Sequence, residues 1–225
     1  AGLGITTGSN NIAVGYGCMS KWYGGTTGSQ NVGVGNDCFD ELTSGSDNIA
    51  VGYEALKVST TGSKNTAVGK SALIANTTAN NASAFGYEAL AANTTGQSNN
   101  AFGFEALHDV TTGSYNVALG RKAGDGITTG DNNIIIGYDS AASSNTVSNE
   151  ITLGNSSISA LRCQVTSITA LSDRRDKTDI NTLDLGLNFV DALKPVKFKW
   201  NSREGILKDG TYEAGFIAQD FQEVQ

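Results

Sequence analysis

Residues Thr43-Ser-Gly-Ser-Asp-Asn-Ile-Ala-Val-Gly-Tyr-Glu-Ala-Leu56 recur, in recognisable form, eight times before residue 141. The copies open with a Thr pair, or Thr43-Ser44 in one, at Thr6, Thr26, Thr43, Thr60, Thr77, Thr94, Thr111 and Thr128, so the first interval is 20 residues and the next six are each 17. A fixed period of this size predicts a stacked array, one supersecondary unit per repeat.

Several columns of the repeat hardly vary. The tenth place is Gly in all eight copies, from Gly15 to Gly137, which predicts positive φ or no room for a Cβ. The sixth place is Asn in seven copies, with Ala82 the exception, and stacked Asn side chains can hydrogen-bond along such an array. Two places, exemplified by Ile49 and Val51, are largely apolar and enclose a small residue, usually Ala. That alternation predicts a strand with the branched residues on one face and Ala on the other. A second short apolar patch follows, Tyr53 to Leu56 in its clearest form, and then a polar turn.

Seventeen residues hold one strand of about five, a second short segment and two turns, which suits one coil of a β-solenoid. Eight coils stacked at about 4.8 Å would span roughly 40 Å. One coil offers few sizeable apolar side chains, so a lone thread has a thin core, and burial of one face against other subunits is expected.

The chain has 225 residues with 28 Gly, one Pro and a formal charge of −7. That charge argues against a sequence-independent nucleic-acid partner, which needs a basic face. No run of about 18 apolar residues is present, so no membrane insertion is expected, and no signal peptide is visible at the first residues. Cys18 and Cys38 occupy the same column of successive copies and could lie near each other, or act only as small half-buried thiols; Cys163 stands apart.

The 20-residue first interval carries an insertion, Met19 to Gly25, that contains Lys21, Trp22 and Tyr23. Insertions in a solenoid map to surface loops, so Trp22 and Tyr23 are the candidate ligand-contact residues, the alternative being a loop that packs on its neighbour. The Thr pairs do not make an ice-binding array, because adjacent residues point to opposite sides of a turn. The turns carry few carboxylates, so a calcium repeat is not indicated, and neither a metal nor a cofactor is expected. His108 lacks a His or Cys partner in sequence and reads as a surface residue. Glu54, Glu88 and Glu105 form one repeated column, read as a solvated or inter-chain polar row in preference to an acid/base pair.

After Asp139 the sequence pattern breaks register: residues 141–149 read as a loop, and Glu150 to Gly154 and Ser157 to Val165 as further strands. At Leu171 the composition changes. Residues 1–171 hold 12 acidic and 7 basic side chains, the last 54 hold 10 and 8, so charge density roughly triples. The expected domains are therefore 1–140, a repeat array; 141–171, a β connector; and 172–225, a small α+β segment. In the last, Leu187 to Leu193 has helical spacing ended by Pro195, Val196, Phe198 and Trp200 alternate as a strand, and Tyr212 to Ile217 supplies a second strand.

The repeats, Thr-Thr-Gly-Ser-x-Asn-x-Ala-Val-Gly-Tyr-Glu-Ala-Leu, resemble the head repeats of trimeric autotransporter adhesins of the YadA type and their relatives in bacteriophage tail fibres. This resemblance covers residues 1–140 and implies a mainly β fold: a parallel β-roll in a homotrimer, with the Ile/Val strand facing the shared axis. The stretch Ala170-Leu-Ser-Asp-Arg-Arg-Asp-Lys-Thr-Asp-Ile180, followed by Gly186 to Trp200 and Gly215-Phe-Ile-Ala-Gln219, is similar to the start of the C-terminal intramolecular chaperone domain of phage tail spikes and fibres, also present in myelin regulatory factor. That second resemblance implies a domain that trimerises the preceding β-structure and then cuts itself off. Its scissile bond would be Leu171–Ser172, with Ser172 as nucleophile and Lys177 as the basic partner. The family's domain continues into long helices that lie beyond the present sequence.

A Ser hydroxyl needs a base, and a Lys serves as one only when desolvation lowers its pKa. Residues five apart on a helix lie about 140° around the axis, so the dyad needs a non-helical path or a Lys from another subunit. The competing reading is that Ser172 or Asp173 caps a helix and Lys177 is a solvated charge. Together these features point to a virion protein, the host-receptor-binding part of a tail fibre or spike. The alternatives are a bacterial surface adhesin, which should end in a membrane β-barrel, and a polysaccharide-degrading spike, which needs paired carboxylates in a groove.

Overall fold

The computed structural model describes residues 2–20, 24–162, 196–198 and 213–215. The chain divides into two compact units, Ala1–Arg162 and Cys163–Gln225. In the first, nine three-residue strands, β1 (Ile12–Val14), β2 (Val32–Val34), β3 (Ile49–Val51), β4 (Thr66–Val68), β5 (Ser83–Phe85), β6 (Asn100–Phe102), β7 (Val117–Leu119), β8 (Ile134–Ile136) and β9 (Ile151–Leu153), form one sheet in chain order. Every pairing is parallel and in register with the repeat, as in Ile49↔Thr66, Ala50↔Ala67 and Val51↔Val68. The unit is a β-solenoid, mainly β as the pattern predicts.

The strands are shorter than the five residues expected, and the reason is the tenth place. Gly69 holds φ +142°, and a Cβ on it would overlap the carbonyl oxygen of Gly86 in the next coil. The chain therefore leaves the strand immediately after its third residue. The Tyr-Glu-Ala-Leu patch that follows is not a second strand: Glu54 (φ 58°) and Leu56 (φ 52°) are both left-handed, as is Asp47 (φ 60°) before the Asn. Left-handed geometry costs a non-glycine residue about 1 kcal/mol. Here it aims alternate N–H groups along the stack: Glu54 donates to Asn36 O in the preceding coil, and Leu56 to Ala72 O in the following one.

Each coil closes its own interior with small side chains. The strand centres Ala50, Ala67, Ala84, Ala101 and Ala118, and the turn residues Leu56, Leu73, Leu90 and Leu107, are fully buried. Where the strand centre becomes Ile135, the Leu place of the coil before is Gly124, and a Cβ there would come 3.1 Å from Ile135 Cδ1. Volume gained at one place is thus removed at its neighbour, as close packing requires.

The Asn column is the ladder expected, and it too is interior. Asn48 Nδ2 donates to Gly62 O (2.9 Å) and to Asn31 Oδ1 (3.0 Å), while its Oδ1 accepts the Asn65 N–H (2.9 Å). At Ala82 the side-chain ladder is interrupted, and buried Asn93 accepts from Asn99 Nδ2 at 3.4 Å. A second ladder runs through the first Thr of each pair, with Thr43 Oγ1 donating to Thr60 O (2.7 Å) and Thr60 Oγ1 to Thr77 O (3.0 Å). The second Thr of each pair is exposed, so adjacent hydroxyls do face opposite ways.

The array has a ninth coil. Ile134 pairs with Ile151, again 17 residues on, so the period persists through the segment where the sequence pattern fades. Glu150 stands where Asn is usual; its N–H donates to Asn133 Oδ1, and its carboxylate accepts from Ser143 N and Thr152 Oγ1, both at 2.9 Å. The Ser143 hydroxyl donates to the same carboxylate, and this bond, ahead of those from Ser143 N and Thr152 Oγ1, holds the carboxyl below the usual glutamate range. Among the described residues Ser157–Leu161 forms no strand. In the second unit, β10 (Val196–Phe198) pairs antiparallel with β11 (Glu213–Gly215), in the two places where strands were expected. The helical spacing at 187–193 falls outside the described residues.

Candidate functional site

In a three-residue strand the centre points one way and the ends the other. With Ala inside, the larger residues flanking it face out. Ile49, Val51, Phe85, Phe102, Val117, Leu119, Ile134 and Ile136 are all between 36% and 52% exposed. Nine rungs at about 4.8 Å and two outward places per rung make a largely apolar strip on the order of 300 Å², the size of the largest patch a soluble monomer usually leaves uncovered. The strip is graded. Where its ninth-place residue is Phe85 or Phe102, the seventh-place partner shrinks to Ser83 or Asn100, and the two Phe rings stack at 4.9 Å.

Beside the strip runs a column that sequence reasoning missed. The eleventh places of six successive coils, Tyr53, Lys70, Tyr87, Phe104, Arg121 and Tyr138, form a continuous pile of rings and cations. Lys70 Nζ lies 5.9 Å from the Tyr53 ring and 5.5 Å from that of Tyr87, Tyr87 stacks on Phe104 at 5.0 Å, and Arg121 is 5.3 Å from Phe104 and 5.5 Å from Tyr138. Each such contact contributes about 0.5–1 kcal/mol when exposed. The signal was present as aromatic and basic residues sharing one column at a spacing of 17.

The adjacent Glu column is engaged in local ion pairs. Glu54 holds Lys57 at 2.6 Å and Glu105 holds Lys122 at 3.0 Å, and each pairing raises the lysine above its ordinary pKa. His108 is half-buried between two carboxylates, with Nδ1 2.6 Å from Asp109 and Nε2 3.6 Å from Glu88. Among the described residues no group of three His, Cys, Asp or Glu is placed to hold a metal ion, and no described helix is long and apolar enough to cross a membrane.

Trp22 and Tyr23, and the proposed cleavage residues Leu171, Ser172 and Lys177, lie outside the described residues. The base of the insertion is described. Met19, assigned to the insertion from sequence, instead fills the Leu column, fully buried with φ 50°, and donates its N–H to Cys38 O. On the near side of the insertion the Ser20 hydroxyl donates to Gly17 O (2.8 Å), and on the far side Thr26, buried, begins the second copy.

Fold and surface thus define the class: a parallel β-solenoid that keeps a self-contained interior and presents an apolar outer face. Residues 172–225 match the protein family described as chaperone of endosialidase. The match supports an intramolecular chaperone domain over this segment. No curated protein and no solved structure matches the chain.

Proposed function

We propose that the chain is part of a bacteriophage tail fibre or spike, whose coils assemble as a homotrimer and whose C-terminal chaperone segment directs that assembly and then severs itself at Leu171–Ser172. The observation that carries this reading is the chaperone of endosialidase match, which begins at Ser172 itself. The outward apolar strip supports the trimer: each coil buries its Ala, Leu and Asn without help, whereas its Val, Ile and Phe rows need a partner to leave water.

In the cleavage step, Lys177, in its neutral form, takes the Ser172 hydroxyl proton as the oxygen adds to the Leu171 carbonyl. The peptide nitrogen of Ser172 then leaves with a proton, and water hydrolyses the resulting ester. Trp22 and Tyr23, in the insertion, are the contact residues for a host cell-surface polysaccharide or protein. The place of action is the virion tail.

Mass and oligomeric state of the longer product test this directly. The wild type should yield a trimer truncated after Leu171, and Ser172→Ala an intact trimer. Release that persists in Ser172→Ala removes the dyad, and a stable monomer removes the fibre reading.

A further inference from the structure

The thirteenth place of the repeat points into the coil and is Ala in five successive copies, Ala55, Ala72, Ala89, Ala106 and Ala123. In the first two copies it is Cys18 and Cys38, both fully buried free thiols whose sulfurs lie 2.7 Å apart, with Cys38 donating its S–H to Cys18. The interior has been cut away to admit them. Gly33 is the one glycine among the strand centres, and a Cβ on it would stand 2.6 Å from Cys18 Sγ and 3.1 Å from Cys38 Sγ. This is the same compensation that pairs Ile135 with Gly124, and here it is centred on two sulfurs. Adjacent coils stack at about 4.8 Å, inside the Cα separation of about 4.4–6.8 Å that a disulfide bridges, and bonding needs each sulfur to move by roughly 0.3 Å.

We propose that Cys18 and Cys38 are a disulfide-forming site that staples the first coil to the second, closed by exchange with an oxidised thiol compound such as glutathione disulfide. The Cys18 thiolate attacks one sulfur of the glutathione disulfide and expels a glutathione thiolate. Cys38 then loses its proton, and its thiolate attacks the Cys18 sulfur of the mixed disulfide and expels the second. Two protons end on two glutathiones; the protein loses two electrons and the glutathione disulfide gains them. In the docked pair the hydrogen bond from Cys38 lowers the Cys18 thiol below its ordinary pKa; before docking either thiol can open the exchange with the same balance. Both sulfurs are shut from solvent in the folded coil, so exchange occurs while the second coil is docking. The bridge spans the segment that carries Trp22 and Tyr23, and so fixes the foot of that loop between two covalently joined rungs. Only this last consequence rests on the proposed recognition role.

The test is a peptide map of the full chain, folded with glutathione disulfide and then alkylated in denaturant without reductant. The expected result is a Cys18–Cys38 linked peptide, two hydrogens lighter than its reduced form, with Cys163 alkylated. Alkylation of both Cys18 and Cys38, or a bridge from either to Cys163, overturns the proposal. Reductant should lower the thermal midpoint of the oxidised wild type and leave Cys18→Ala/Cys38→Ala unmoved; equal midpoints for the wild type with and without reductant overturn the stapling role. Neither readout depends on trimerisation or on cleavage at Ser172.

Discussion

The two faces of the sheet use hydrophobic residues in opposite ways. Inside the coil the strand residue is Ala in six of the nine strands, packed against Leu and a run of buried Asn amides; outside, the same three-residue strands carry Ile, Val, Leu and Phe left partly in water. At the strand centre the interior admits a small residue, or Ile135 where Gly124 makes room for it, and the larger buried side chains, such as Leu56, Phe39 and Val110, sit in the turns. Sequence reading put the two sets of residues on opposite faces and counted few sizeable apolar side chains per coil. The closed interior is supplied instead by hydrogen-bonded Asn, which fills volume and satisfies turn carbonyls together.

This contrast can be broken from the inside first. Gly86→Ala should be the most damaging change, at about 4 kcal/mol or more, because φ is +144° and the added methyl meets the Gly103 carbonyl; loss of cooperative unfolding in circular dichroism would register it. Asn116→Ala should cost about 3 kcal/mol in denaturant titration. It removes the donor to Gly130 O and the acceptor for the Asn133 N–H, leaving buried groups unpaired. Outside, Phe85→Ser with Phe102→Ser should weaken association by about 2 kcal/mol or more per chain, read by sedimentation, while the isolated coil barely changes. If the double variant instead unfolds the coil, the division between the two faces is wrong.

Smaller effects sharpen the picture. Ser59 Oγ is buried without a hydrogen-bond partner, so Ser59→Ala should raise stability by up to about 1 kcal/mol, seen as a higher denaturant midpoint. Glu150 has its folded pKa lowered, so its stabilisation is fully present above the ordinary glutamate value and is lost as pH falls through the lowered one. The stability gap between wild type and Glu150→Gln should accordingly close on acidification; a gap that widens would contradict the bonds from Ser143.

Much of the array was legible because stacking repeats one environment many times. The Gly and Asn columns, and the placement of Ala opposite Ile and Val, could each be read from spacing alone, whereas which of the two faces is interior could not. What could not be read were the left-handed turns at Glu54 and Leu56, since neither residue type announces positive φ and only their hydrogen bonds to adjacent coils stabilise it. The ninth coil escaped because Glu150 and Thr152 stand for Asn and Ala, and Asn145 and Val147 for Thr and Gly, leaving Gly154 as the one survivor of the Gly and Asn columns that mark the repeat most clearly. The pile of rings and cations was missed because its column mixes Tyr, Lys, Phe and Arg, which share no propensity and are united only by contact. Ser172 and Lys177 were singled out only through the resemblance to the chaperone motif and lie outside the described residues; periodicity offered nothing at that point.

The constant interval of 17 residues from the second strand to the ninth has an arithmetic meaning. Because each rung reproduces the outline of the last, whole rungs could be gained or dropped without disturbing the contour of the rest. Chain length is thereby converted into rod length in graduations of about 4.8 Å, as on a ruler.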